Sequence, residues 1–321
     1  MSKLLSVNCL IVLFTAWLPN LQAQKIPSSR ENIEYLVTFG KQAPTGWGDD
    51  DYTQILFFVV PKTHDKPFYI RVFDPDVGGN IDMNIQGFNT STSFSIYGGE
   101  TAFSDKDAQG LNPTGNYKSG ILLGQKTFNS SNEFDSKWYT FGPFNPSEGE
   151  FTEQFGGNIF KVIIEGKSGN DGNLYLFYMS ESATENIPLE GGNCFTYEYS
   201  FRLKTGENNI AHLYPFVDNS VVSIYQNNFD FDNDGYIKLF SVAKNGHIMD
   251  GSGDNKWAKT GSVITDEERG KSLDIQIHRK GSFNNDMVFY VTNEYNQPIP
   301  FFASPIGGPP KYNYKIDIKY H

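Results

Sequence analysis

The chain is written twice, and that constrains its fold more than any other feature. Asp135-Ser136-Lys137-Trp138, followed by Gly142 and Glu148, returns as Asp254-Asn255-Lys256-Trp257, followed by Gly261 and Glu267, at one offset of 119 (254 − 135). Further pairs keep the same order. Phe73-Asp74-Pro75-Asp76 then Ile81 matches Phe229-Asp230-Phe231-Asp232 then Ile237, and Phe177-Tyr178 matches Phe289-Tyr290. Phe94-Ser95-Ile96 likewise matches Phe240-Ser241-Val242. The offset falls from 156 (230 − 74) to 146 (240 − 94) to 119, so the first copy carries 10 and then 27 extra residues before its Trp138. The larger insertion falls in 99–135, rich in Gly, Asn, Ser and Thr as loops are.

Each copy reads as β-strands. Phe195, Tyr197, Tyr199, Phe201 and Leu203 alternate with polar residues, as do Tyr312, Tyr314, Ile316, Ile318 and Tyr320. Period-two alternation puts one row on a core and the other in water. Ile55 to Val60 and Val162 to Ile164 are continuous β-branched and aromatic runs, as in strands buried on both faces. Helical spacing is scarce; Thr265 to Arg269 is the one short helix the pattern offers. Many short strands with Gly, Asn and Pro between them predict an all-β chain of two tandem homologous β-sandwich domains. The first spans 32–204 with the inserted loop 99–135. The second spans 205–321, beyond the polar stretch Lys204 to Asn209. At about 175 and 116 residues, each copy is long enough to bury a core.

Residues 1–23 read as a secretory signal: Lys3, then an apolar stretch from Leu4 to Leu18, then Leu21-Gln22-Ala23 before a cut at Gln24. The apolar run is short for a spanning helix, and no later stretch approaches about 20 apolar residues. With 26 Lys+Arg against 37 Asp+Glu, the chain lacks the basic surface that nucleic acid demands. Cutting the signal leaves Cys194 as the one cysteine, so no internal disulfide forms; beside a strand it reads as buried filler.

The sharpest local motif is Asp230-Phe231-Asp232-Asn233-Asp234-Gly235-Tyr236. Carboxylates at alternate positions and a Gly for the turn match the start of a calcium loop. Asp230, Asp232 and Asp234 are the expected ligands, with the Tyr236 carbonyl at the seventh position. The twelfth position is Ser241 rather than Glu, which argues against a helix–loop–helix hand. Over about eight residues this loop resembles those of dockerin-like modules. In the first copy Asp74 and Asp76 recur, with Asp82 as a third oxygen donor. Strand Phe68 to Phe73 running into Phe-Asp-x-Asp and then Gly resembles a calcium loop of C2-type sandwiches over about 15 residues. That resemblance implies calcium at one end of a sandwich. Asn-Asp-Gly is also a plain hairpin-turn signal, the competing account of both loops.

Trp138 and Trp257 recur with the fold and read as packing anchors rather than sugar platforms. Trp47, in the unrepeated stretch Pro44 to Asp51, reads either as a contact residue or as cover for the first core. No zinc-binding His pair, nucleophile elbow, phosphate loop or dinucleotide fingerprint occurs. The sequence therefore reads as a binding protein before an enzyme: exported to the periplasm, cell surface or medium, calcium-stabilised, and binding or adhering to a protein or glycan. The alternatives are a secreted carbohydrate-binding or glycoside-hydrolysing protein, for which acid pairs such as Glu148/Glu150 are on hand, and a structural subunit of an outer-membrane or secretion assembly.

Overall fold

The computed structural model describes residues 25–307. Residues 1–23, which the sequence reads as a secretory signal, and the alternating row from Tyr312 to Tyr320 lie outside the described residues. What is described is almost entirely antiparallel β-structure. The two helical pieces among these residues are single 3₁₀ turns, Lys106–Gln109 and Pro146–Glu148. Thr265 to Arg269 is a turn, closed by Glu268, whose carboxylate accepts from the Thr265 amide and hydroxyl. No described helix is long and apolar enough to cross a membrane.

Eight strands from Ile33 to Ser180 form a first set. They are β1 (Ile33–Phe39), β2 (Thr53–Pro61), β3 (Phe68–Phe73), β4 (Ser91–Gly98), β5 (Ile121–Phe128), β6 (Trp138–Phe144), β7 (Gly157–Ser168) and β8 (Gly172–Ser180). Eight more follow: β9 (Glu198–Leu203), β10 (Ile210–Leu213), β11 (Ser223–Phe229), β12 (Gly235–Phe240), β13 (Asn245–Met249), β14 (Trp257–Val263), β15 (Asp274–Arg279) and β16 (Asn285–Asn293). The first set pairs as β1-β8-β3-β6 and β2-β7-β4-β5, the second as β9-β16-β11-β14 and β10-β15-β12-β13. Each strand of the second set thus takes the place of the strand eight before it, in the connectivity of a double-sheet jelly roll. β9 pairs with β1 as well as β16, so one sheet runs unbroken through both sets.

Apolar side chains from both sheets interlock between them. Phe58 meets Phe177 with ring centroids 5.8 Å apart, Phe68 meets Phe160 at 4.9 Å, and Phe94 meets Tyr175 at 5.2 Å, all T-shaped. Edge-to-face contacts set the negative ring face against a positive edge. The buried cluster continues from these residues through Tyr199 and Phe201 to Ile224, Ile237, Ile275 and Phe289, so apolar packing does not stop at 204.

Two sequence expectations are revised. The alternating row 195–203 is two strands, not one. Asn193–Thr196 pairs with β2 in one sheet, and after Tyr197 the chain crosses to β9 in the other. β9 therefore leaves the sheet of Asn193–Thr196 and pairs with β1 and β16. The insertion 99–135, loop-like in composition, is packed and part strand. Ile121–Phe128 is edge strand β5, the counterpart of β13, and 99–120 folds onto the outer face of β2 and β7. There Phe103 and Ala108 are buried with Phe57, Val59, Ile159 and Phe195. This cover explains the continuous apolar run of β2: Leu56, Phe58 and Val60 face the core, while Phe57 and Val59 face the insertion. Lys161, fully buried on β7, ties the segment down by donating to the Tyr117 and Ser119 carbonyls.

Candidate metal centre

The repeat survives as geometry. Phe73, the last residue of β3, pairs with Trp138, the first of β6, and Phe229 pairs with Trp257 in the same way. Their rings touch at 5.3 and 5.1 Å. The next residue of each copy turns left-handed: Asp74 at φ 57° and Asp230 at φ 61°. Aspartate accepts this conformation because its short polar side chain bonds locally. Asp230 donates its amide to the Lys256 carbonyl (3.3 Å), and its Oδ1 accepts from the Asn255 amide (2.8 Å). Asp74 does the same with the Lys137 carbonyl (2.9 Å) and the Ser136 amide (2.7 Å).

Zipping loop 230–234 against 250–256 brings Asp254 beside the Asp-x-Asp pair. One oxygen each of Asp230, Asp232 and Asp254 lies within 4.8 Å of the other two, in a gradient from buried through half-buried to exposed. Burial pushes the Asp230 carboxyl up to about 6 against the one opposing influence, the Asn255 amide hydrogen bond, with the negative charges of Asp232, Asp254 and Asp286 adding to the rise. Burial, then the negative charges of Asp254 and Asp234, raise Asp232 as well. A divalent cation would relieve the mutual repulsion that adds to burial in both shifts.

The triad opens into a cleft of about 430 Å³. One wall is second-set chain: Asp230, Asp232, Asp254, Asn284 and Asp286. The other comes from loops before β2 and β4: Gly46, Trp47, Asn80, Asp82 and Asn84. Gly48 lets the first of these loops lie flat, since a Cβ there would sit 2.5 Å from the Asp286 backbone. Trp47 packs one edge on Phe39 (6.2 Å) and faces the cleft with the rest, so it is both core cover and lining. Arg202 on β9 is the cleft's one guanidinium, clamped bidentate on Asp286 at 2.7 and 2.7 Å. Burial would lower Arg202, and the Asp286 carboxylate more than offsets it, holding the guanidinium above its ordinary value.

The sequence-expected ligands divide. Asp230 and Asp232 meet in the triad. Asp82 lines the same cleft, with both oxygens held by the Gly78 and Leu174 amides (2.7 and 2.6 Å). Asp234 turns inward to Arg279 (2.6 Å) and accepts from the Gly281 amide (2.6 Å). Tyr236 sits in the β12 ladder opposite His278, its ring stacked on the imidazole at 4.6 Å. Asp74 and Asp76 stay on the first-set loop, where Asp76 accepts from Ser131 Oγ (2.8 Å) and the Phe134 amide (2.6 Å).

Asp254 was missed, though the signal was present: it opens the repeated Asp-x-Lys-Trp element. A second acidic group, Asp49, Asp50 and Asp51, also brings oxygens within 4.8 Å. Asp49 spends its oxygens on the Phe39, Tyr52 and Asp51 amides, which shapes the loop that carries Trp47. Burial, with Asp49 and Asp50 adding, pushes Asp51 up to about 9. Cys194 is buried, and burial holds its thiol well above the ordinary value, so it is protonated filler.

Both acidic triads have the donor chemistry to hold a metal ion. No family model matches this chain, and no curated protein matches it in sequence.

Proposed function

We propose that this is an exported, calcium-stabilised binding protein of two tandem homologous β-sandwich domains, whose ligand seats in the cleft beside Asp230, Asp232 and Asp254. One observation carries the reading: three carboxylates converge to within 4.8 Å of one another in the wall of an open 430 Å³ cleft. All the donors are hard oxygens with no His or Cys among them, which suits calcium over zinc or copper. The matching strand orders and the shared register at Phe73/Trp138 and Phe229/Trp257 support the tandem reading. Export rests on the signal-like segment 1–23, and secretion assayed with and without it tests that part.

The ion is tested by calorimetry and thermal unfolding. Calcium bound only to the folded state, at a hundredfold excess over its dissociation constant, adds about 2.7 kcal/mol. Chelator should remove that increment, and Asp232→Ala should remove the response while leaving the chelated protein close to wild type. No calcium-dependent shift at millimolar calcium would discard the reading and leave two acidic turns. For the ligand, Trp47 beside Asn80, Asn84 and Asn284 favours a glycan, since an aromatic face with amides around it suits a sugar's apolar face and hydroxyls. Arrays of glycans and matrix proteins, with and without calcium, separate a sugar from a protein partner.

A further inference from the structure

We propose that the chain carries two calcium sites, each completed from beneath by a buried asparagine: Asp74, Asp76, Asp135 and Asn173 in the first set of strands, and Asp230, Asp232, Asp254 and Asn285 in the second. The inference rests on the calcium reading above and extends it to a second site and to a ligand type that reading lacks. Asn173 on β8 is 0% exposed and Asn285 on β16 is 2% exposed. They are separated by 112 (285 − 173), the same offset as Phe177 and Phe289 on the same two strands.

Each donates its amide nitrogen to the carbonyl between the paired aspartates. Asn173 Nδ2 bonds the Pro75 oxygen at 3.0 Å, and Asn285 Nδ2 bonds the Phe231 oxygen at 3.1 Å. Only the nitrogen of a carboxamide can donate to a carbonyl, so these bonds fix which end is oxygen. In both residues the Oδ1 is then buried and without a partner. It hangs on the same carbon as the tethered nitrogen, and so stays close to the loop carbonyl which that nitrogen holds. An unpaired buried acceptor is costly, and this one occurs twice in the same place. A hard cation makes use of it, since amide oxygens are ordinary calcium ligands.

In the first site Asp135 Oδ1 is also buried and unpartnered. Asp74 spends Oδ1 on the Ser136 amide, and Asp76 spends Oδ2 on Ser131 and Phe134, which leaves one oxygen of each for an ion. Burial first, then Asp135 and Asp76, push the Asp74 carboxyl up to about 6, as burial and Asp232 do for Asp230.

Titration calorimetry with calcium on the full chain should count two ions. Asp135→Asn should remove one and Asp254→Asn the other. Asn173→Leu and Asn285→Leu should each weaken their own site at least tenfold. Asn173→Asp trades the amide donor for a charge. A ligand role predicts lost apo stability that calcium restores; a packing role predicts a loss that calcium leaves in place. One ion per chain, lost in Asp254→Asn and indifferent to Asp135→Asn, overturns the second site and leaves the proposed function standing. Two ions with affinities unmoved in folded Asn→Leu variants, or an Asn173→Asp loss that calcium does not repair, overturns the buried ligand. No calcium binding at all overturns both readings.

Discussion

Asp234 offers the sharpest test, because sequence and structure give it different work. As a calcium-loop ligand it would matter only with the ion bound. In the structure it is the carboxylate of a buried ion pair, with Asp234 and Arg279 side chains 2% and 1% exposed. Arg279 donates to Asp234 Oδ2 at 2.6 Å, and its other nitrogens reach the Lys204 and Phe283 carbonyls. Asp234→Ala strips the counter-charge and leaves a buried guanidinium with neutral acceptors alone, a loss of about 3–5 kcal/mol. Against a total stability of about 5–15 kcal/mol this is severe. At about 2 °C per kcal/mol, the lower end of the range because the chain is long, the midpoint should fall by about 6–10 °C. Asp234→Asn keeps a single acceptor oxygen, which can serve Arg279 or the Gly281 amide but not both, and should lose less than Asp234→Ala, about 2–3 kcal/mol. Scanning calorimetry of both variants, in chelator and in calcium, reads the result. The drop should be the same in the two buffers. A variant that melts like wild type in chelator but no longer gains from calcium would refute the ion-pair argument and return Asp234 to the metal.

Three further outcomes follow from the same geometry. The Asp230 carboxyl, raised to about 6 in the fold from an ordinary 3.8, favours folding while protonated and loses that contribution as pH climbs through 6. Calcium-free protein should therefore gain stability between pH 7 and 5, while calcium affinity falls over the same window because the ion must displace a proton. Phe103→Ala, which empties a site among Phe57, Phe155 and Phe195, should cost about 3 kcal/mol and open 99–120 to protease while β5 stays protected; early cutting within wild-type 121–128 would contradict the fold described. Trp47→Ala should abolish capture on whichever array is positive in calcium and leave the calcium titration unchanged; loss of calcium binding with it would mean the loop holds the metal site and not the ligand.

The sequence by itself determined the repeat, the strand character and two of three carboxylates in the triad. It could do so because those features are local or are repeated. Phe-Asp before the turn and Trp after it are fixed by one pairing register used twice, so the same residues recur at the same positions. The sequence could not tell which sheet a strand joins. Alternation from Phe195 to Leu203 is unbroken in the chain, yet Tyr197 carries it from one sheet to the other, since side-chain period says nothing about the backbone partner. Nor could it tell Asp234 from Asp254. Asp234 is two residues from Asp232, but Asp230, Asp232 and Asn233 all turn left-handed and swing it inward to Arg279. Asp254, 22 residues on (254 − 232), is drawn in by backbone hydrogen bonds to Asp230. The cleft was wholly a tertiary decision: Trp47, Arg202 and Asp286 meet because β9 joins β1 to β16 in one sheet and Gly48 lets a loop lie on its face. Distances along the chain set what a residue is made of and what it can do; only strand pairing sets what stands across from it.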